Sequence, residues 1–371
     1  MDSITLVLFA LGFFLLAGGA ELLVRGASEL AETIGISRLV VGLTIVAFGT
    51  SAPELAVNMQ SALAGQPDIA VGNVVGSNIL NILLVLGIAA LIAPLAVHKR
   101  LVRLEVPLMI GVSFLLLFLA YDGLLSRWEG LLLASGIVFY TIFAIKSSRD
   151  ETDVQSQTDD TPESGENSGK KSASGALIIQ LLLIVVGLGL LVLGSNWLVD
   201  GAVMIAKYFG ISELIIGLTI VSIGTSLPEL ATVVVGCIRG EQDLVVGNLV
   251  GSNLFNILLV LGFTSLVAPA GIEVSQAAIW FDMPVMIVVA LACLPIFFTG
   301  YLIERWEGGL FLAYYVAYTS FLFLNATQHS ALSTFNTIML WFVIPITVVT
   351  MLVLVWGSFK QTPSTNNDKS S

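Results

Sequence analysis

Two short polar motifs, each present twice, interrupt apolar stretches of this sequence. The motif G-T-S-x-P-E supplies one carboxylate and two hydroxyls per copy, from Thr50, Ser51 and Glu54 and then from Thr225, Ser226 and Glu229. The Thr and the Glu are four residues apart, so they share one face of a helix. Ligands that are all oxygens favour hard cations over zinc, copper or iron. Calcium fits such a set, because it takes about six to eight oxygens in a flexible geometry.

The second motif, G-N-x-V-G-S-N-x-x-N, follows each copy of the first. Its Ser and its last Asn are four residues apart, and they are the further candidate cation ligands: Ser77, Asn81, Ser252 and Asn256. The other asparagines are expected to brace neighbouring helices through hydrogen bonds: Asn73, Asn78, Asn248 and Asn253.

A proline lies in the middle of each apolar stretch that carries the first motif. Pro53 has no N–H, so it leaves the carbonyl of Gly49 without its helical partner and bends the helix. Pro228 does the same to Gly224. Broken helices at membrane depth are tolerated where their free backbone lines a cavity or binds something. The sequence therefore predicts two kinked spans whose loosened carbonyls lie beside the motif side chains.

Glu54 and Glu229 are the costliest residues to bury. An ionised carboxylate at the centre of a bilayer costs at least about 2.5–3.5 kcal/mol, and the apolar parts of these stretches contain no Lys or Arg. Two such carboxylates in one place would repel each other until a cation or protons enter. The alternative is a pair of protonated structural acids. Glu21 and Arg25, four residues apart, are expected to pair with each other near the membrane interface.

Composition indicates a polytopic helical membrane protein. Hydrophobic residues make up 56% of the 371 residues, charged residues 11%, and the mean hydropathy is +0.96. Residues 42–87 recur as residues 217–262, with 28 of 46 positions identical. The correspondence extends over five apolar spans in each half. Because five is odd, the second copy enters the membrane from the opposite side, which is typical of secondary transporters.

We therefore expect an all-α fold with two inverted five-helix repeats and one extra C-terminal transmembrane helix. The halves are residues 1–146 and 175–325, and residues 326–371 hold the extra helix and a polar tail. Apolar segments predict spans near 4–24, 38–63, 69–92, 105–120, 128–146, 175–199, 213–238, 244–267, 280–299, 307–325 and 336–357. The acidic segment 147–174 is expected to be a disordered cytoplasmic linker.

Basic residues predict the orientation in the membrane. If the N-terminus lies outside, 13 of the 15 Lys and Arg residues fall on the inner side. The linker and the C-terminus are then cytoplasmic. We expect an integral protein of the plasma (inner) membrane, with the lipid bilayer as its main partner.

The doubled motifs resemble the two alpha repeats of the calcium/cation antiporter superfamily, most closely those of its sodium/calcium exchanger branch. The resemblance covers about residues 1–325. It implies a ten-helix core that binds calcium or sodium at its centre, with long first and sixth spans that slide to alternate access. It also implies that the motif residues named above are ion ligands and adds the backbone carbonyls of Ala47 and Ser222.

Asn256 departs from the family pattern, in which sodium-driven members often carry Asp at that position. With Asn at both 81 and 256, the site has two carboxylates, which one calcium or two monovalent ions neutralise. We expect a calcium/sodium antiporter, with a proton/calcium antiporter or a passive cation channel as alternatives. No enzymatic activity, resident cofactor or nucleic-acid partner is expected. A homo-oligomer formed through the last helix remains open.

Overall fold

The computed structural model of the protein describes residues 3–158, 173–210, 222–298 and 300–350. These residues form helices α1 Ser3–Ile34, α2 Arg38–Thr50, α3 Ala52–Leu63, α4 Pro67–Ile92, α5 Leu101–Asp122, α6 Arg127–Thr158, α7 Ala173–Tyr208, α8 Ser222–Gly224, α9 Leu227–Arg239, α10 Gln242–Val267, α11 Ala278–Phe297, α12 Arg305–Ala326 and α13 Leu332–Thr350. Four two-residue strands connect them: β1 Leu95–Ala96, β2 Leu124–Leu125, β3 Ile272–Glu273 and β4 Leu302–Ile303.

The helices confirm the expected all-α membrane fold. Within the described residues, nine helices are long and apolar enough to cross a membrane, and α2 with α3 forms a tenth, bent span. The expected span at 213–238 is described only in part, by α8 and α9, because residues 211–221 lie outside the described ranges. Helix α13 is also long and apolar enough to cross.

The expected linker does not begin where the apolar residues end. Helix α6 continues to Thr158, beyond the predicted boundary at residue 146. Hydrophobicity marks where a span leaves the bilayer, whereas a helix continues as long as its backbone hydrogen bonds do. The prediction of disorder is therefore wrong for residues 147–158 and 173–174, which are helical. Residues 159–172 lie outside the described part of the chain.

Two small antiparallel strand pairs join the halves of the molecule. Strand β1 pairs with β4, and β2 pairs with β3. Each pair combines a loop of the first half with a loop of the second. In the expected topology β1 and β4 lie on one side of the membrane and β2 and β3 on the other, so the pairing agrees with inverted repeats.

The long helices α1 and α7 pack against each other in antiparallel fashion along a line of glycines. Gly12 faces Gly194, and Gly19 faces Gly187. A Cβ atom added at Gly19 would lie 2.8 Å from the carbonyl oxygen of Gly187, so the backbones are in direct contact. Successive glycines on each helix are seven residues apart, which places them on one face.

The helices that carry the second motif lie at the centre of the molecule. The apolar window of α10 is entirely buried, and that of α4 is 72% buried, against 22% for α7. The core therefore surrounds the motif helices, while α1 and α7 present most of their surface to the outside. This arrangement leaves the two long helices in contact mainly with each other.

The glycine line predicts a sharp difference between two adjacent positions. Gly19→Val inserts a branched side chain against the backbone of α7, whereas nothing lies within 4 Å of a Cβ atom at Gly18. Overpacking costs about 1–3 kcal/mol, so Gly19→Val should lower the melting temperature in detergent by several degrees and Gly18→Val should leave it nearly unchanged. Equal melting temperatures for the two variants would contradict direct backbone contact between α1 and α7.

Candidate ion-binding site

Each copy of the first motif forms a helix break. Helix α2 ends at Thr50, α3 starts at Ala52, and the two helices differ in direction by 42°. Ser51 between them has ψ of 3°, and Ser226 before α9 has ψ of 8°, so both residues leave the helical conformation in the same way. Pro53 is the second residue of α3, which is the place where a missing N–H is tolerated. The predicted proline bend is confirmed in the first half.

The two carboxylates are fully buried at equivalent places. Glu54 and Glu229 are each the third residue of their helix, α3 or α9, and each is 0% exposed. The first turn of a helix presents free N–H groups and a positive potential, which stabilises a negative charge there by about 0.3–1 kcal/mol. Oε1 of Glu54 lies 3.2 Å from the hydroxyl oxygen of Ser226, three residues before Glu229. The structure therefore brings the acid of the first half against the segment that carries the acid of the second half.

A serine of the second half connects the acid of the first half to the second motif. The hydroxyl oxygen of Ser226 lies 3.2 Å from Oε1 of Glu54 and 3.2 Å from Oγ of Ser77. Ser226 also precedes Glu229 by three residues, so this hydroxyl connects Glu54 to the helix start that carries Glu229. The arrangement puts one oxygen-bearing side chain from each of two further helix segments within hydrogen-bond distance of Ser226.

The two threonines make equivalent contacts across the halves. Oγ1 of Thr50 lies 3.3 Å from Oδ1 of Asn248 and 3.4 Å from Oγ of Ser252. Oγ1 of Thr225 donates to Oδ1 of Asn73 at 3.2 Å. Since Thr50 corresponds to Thr225 and Asn248 to Asn73, the contacts obey the repeat symmetry.

Several buried oxygens in this cluster accept no hydrogen bond of normal geometry from the described residues. They are both carboxylate oxygens of Glu229, Oε2 of Glu54, Oγ of Ser51, and the amide oxygens of Asn81 and Asn256. A buried acceptor without a donor is costly. A cation coordinated by these oxygens would remove that cost, so the donor chemistry fits calcium or sodium as the transported substrate.

The remaining predicted ligands lie just before a helix break or at the start of a π-helical stretch. Ala47 is fully buried in the last turn of α2, where its carbonyl already accepts the N–H of Ser51 at 3.0 Å. Ser222 begins α8 one turn before the second break. Asn81 and Asn256 each begin a six-residue π-helical stretch. Such stretches widen a helix locally and are frequent at functional sites.

Three of the four asparagines expected to brace helices connect the halves through their side chains, namely Asn73, Asn78 and Asn248. The side chain of Asn253 instead donates to the carbonyl of Leu249 on its own helix. Nδ2 of Asn78 donates to the carbonyl of Asn253 at 3.3 Å, and Nδ2 of Asn256 donates to Oδ1 of Asn78 at 3.0 Å. Asn256 therefore has one amide atom engaged with a bracing residue and its oxygen left over. A single residue can hold two helices together and still offer a ligand.

Comparison with known proteins identifies the family. Residues 4–146 and 179–324 match the family model described as sodium/calcium exchanger protein. The chain belongs to the sodium/calcium exchanger family. Inner membrane protein YrbG of Escherichia coli is 41% identical over 284 residues, which are 76% of this chain and 86% of that protein. Sodium/calcium exchanger MaX1 of Methanosarcina acetivorans is 31% identical over 350 residues, which are 87% and 99% of the two chains.

The fold is similar to a solved structure of the sodium-calcium exchanger NCX_Mj soaked with sodium and strontium. The TM-score is 0.73 at 30% identity, and the match covers 86% of this chain and 99% of that chain. Together with the family model, this similarity makes the protein an integral membrane cation/calcium antiporter. These relatives include exchangers, and the named family consists of transporters rather than enzymes.

Asn58 is a buried polar neighbour of the candidate site that the repeat could not reveal. It lies one turn after Glu54 on α3, is fully buried, and accepts a hydrogen bond at 3.2 Å from Nδ2 of Asn73. Its counterpart in the second half is Val233, so comparison of the copies gives no signal. The signal in the sequence is the i, i+4 spacing from Glu54 within an apolar run.

The expected pair of Glu21 with Arg25 is wrong. Arg25 pairs with Glu29 at 2.8 Å, and Glu21 pairs with Arg239, whose Nε lies 2.7 Å from its Oε2. Arg239 ends α9, far away in sequence, so its approach to α1 could not be inferred from spacing on one helix.

The contact between Asn73 and Thr225 predicts a cross-link between the halves. With Cys237 and Cys293 replaced by Ala, the double variant Asn73→Cys/Thr225→Cys should be joined by a short bifunctional thiol reagent. A protease site inserted within residues 159–172 would separate unlinked halves, so the cross-linked chain should stay at full length on a denaturing gel. Each single variant should separate into two fragments. Complete separation of the folded double variant would contradict the contact.

Proposed function

We propose that this antiporter exchanges calcium for sodium through one central pocket to which access alternates between the two sides of the membrane. The observation that carries the proposal is that Glu54 and Glu229, from opposite halves, are both buried, and three of their four carboxylate oxygens lack a hydrogen-bond donor among the described residues. The ligands are the twelve positions that the doubled motifs and the family pattern indicate: Ala47, Thr50, Ser51, Glu54, Ser77, Asn81, Ser222, Thr225, Ser226, Glu229, Ser252 and Asn256.

Coupling follows from charge. Two carboxylates at membrane depth make the pocket costly to move across the bilayer unless cations neutralise it. One calcium or two sodium ions supply the same charge, and the oxygens near Ser226 cannot serve both sets at once. Because only one load fits, calcium leaves when sodium binds, and the two fluxes are linked.

Alternating access is assigned to α1 and α7. Both helices are much longer than the roughly 20 residues that cross a bilayer. They contact each other closely through backbone at the glycine line. We propose that the pair slides as a unit past the central helices, with the N-terminus outside and both the linker and the C-terminus in the cytoplasm.

Flux measurements with reconstituted liposomes test the function. Calcium-45 uptake should be driven by an outward sodium gradient, and potassium or proton gradients imposed one at a time should drive none. Uptake driven by a proton gradient in sodium-free buffer would instead favour proton coupling. Calcium flow without any counter-gradient dependence would favour a passive channel.

Removal of either central charge tests the site. Glu54→Gln or Glu229→Gln leaves one buried carboxylate facing a doubly charged ion. Loss of one partner of a buried charge pair costs about 3–5 kcal/mol, so uptake should fall by at least about 100-fold. The matched control is Glu273→Gln, which removes an exposed acid in β3 and should leave uptake unchanged. Normal uptake by either central variant, with the same melting temperature as the unmodified protein, would remove these residues from the mechanism.

The two-carboxylate site predicts electroneutral exchange of one calcium for two sodium ions. Uptake should therefore be independent of a membrane potential that potassium and valinomycin clamp. Asn256→Asp adds a third carboxylate, which three sodium ions neutralise and one calcium does not. A load of three sodium ions differs from one calcium by one charge, so uptake should become dependent on potential. Asn81→Asp, at the equivalent position, should act in the same direction. Dependence on potential in the unmodified protein would show that the charge count is incomplete.

A further inference from the structure

The carbonyl that Pro228 leaves free has a partner outside its own helix. Proline at position 228 cannot donate to the carbonyl of Gly224. Oγ of Ser195, on the long helix α7, donates to that carbonyl at 2.5 Å. Ser195 is only 4% exposed. The hydrogen bond therefore joins a peripheral long helix directly to the helix break in the second half of the site.

The first half has no equivalent hydroxyl. By the repeat, Ser195 corresponds to Ala20 on α1, and Gly224 corresponds to Gly49. Alanine has no side-chain donor. The freed carbonyls of Gly49 and Gly224 are equivalent by the repeat, but they differ in their partners. The repeat position on the long helix is a serine for Gly224 and an alanine for Gly49.

Helix α7 also contacts the other break. A Cβ atom at Gly49 would collide with the side chain of Leu188, and one at Gly224 would collide with that of Val199. Leu188, Ser195 and Val199 are seven and four residues apart, so they lie on one face of α7. A single face of this helix therefore lies against both breaks, and Ser195 is its polar residue among these three.

We infer that Ser195 is a positioning residue through which α7 holds the second half of the ion site in its binding geometry. This inference rests on the proposed function. Ser195 acts through the carbonyl of Gly224, two residues before Ser226, whose hydroxyl contacts Glu54 at 3.2 Å. The bond fixes the turn from which Ser226 and Glu229 project.

The bond also links the site to helix movement. If α7 shifts along its axis, Ser195 leaves the Gly224 carbonyl, and the turn loses its anchor. By linkage, an ion that requires the anchored turn must in turn favour the position of α7 that supplies the bond. Ion binding and α7 position are thus coupled by one hydrogen bond between α7 and the break.

The test compares three serine variants. Ser195→Ala should weaken calcium binding about 3- to 10-fold, because a net hydrogen bond contributes a factor of this order, and it should raise the KM for calcium by the same factor. Ser195→Thr keeps the hydroxyl and should restore both values. Ser28→Ala is the control, since Ser28 is equally buried on α1 and its hydroxyl has no hydrogen-bond partner among the described residues.

Two readouts make the outcomes distinct. Calcium titration of the detergent-solubilised protein measures binding without transport, and liposome uptake measures KM and kcat. Unchanged binding in Ser195→Ala, an equal loss in Ser28→Ala, or no restoration in Ser195→Thr would overturn the positioning role. Failure of the unmodified protein to take up calcium would instead overturn the proposed function, whatever the titrations show.

Discussion

The fold must hold two carboxylates at a depth in the membrane where the ionised form of a carboxylate is energetically unfavourable. Glu54 and Glu229 are both fully buried, and each sits in the first turn of a helix that starts at a break. The field of a helix start contributes about 0.3–1 kcal/mol, which is less than the cost of a buried carboxylate. The remainder must come from a bound cation or from protonation of the acids. A pocket that needs such neutralisation suits a transporter better than a permanently hydrated pore.

Inverted symmetry explains how two acids come to share one pocket. Each half supplies one break, and the contacts of Thr50 with Asn248 and of Thr225 with Asn73 are the same contact seen from the two halves. Duplication therefore supplies a second copy of each candidate ligand position. It also places the pocket near the pseudo-twofold axis, so under the proposed function α1 and α7 can move past the ligand set while it stays together.

The sequence was sufficient for features that composition, periodicity and repetition control. Apolar runs located the spans, and the repeat located both acids and the breaks beside them. What it missed depends on contacts between distant segments. Arg239 reaches Glu21 only because α9 packs beside α1, and Asn58 has no polar counterpart to mark it. The helical start of the expected linker was missed because hydropathy reports the membrane boundary and not the end of a helix.

Proline and glycine act together at each break. Proline at 53 or 228 removes the donor for the carbonyl four residues earlier, and that carbonyl belongs to Gly49 or Gly224. Glycine at the same place has no side chain, so α7 can approach the exposed backbone closely. Proline alone would not bring α7 to the freed carbonyl, because a bulky residue in place of the glycine would keep the neighbouring helix away from it. The pairing of the two residue types, four apart, therefore places the free backbone of the ion site against the helix to which movement is assigned.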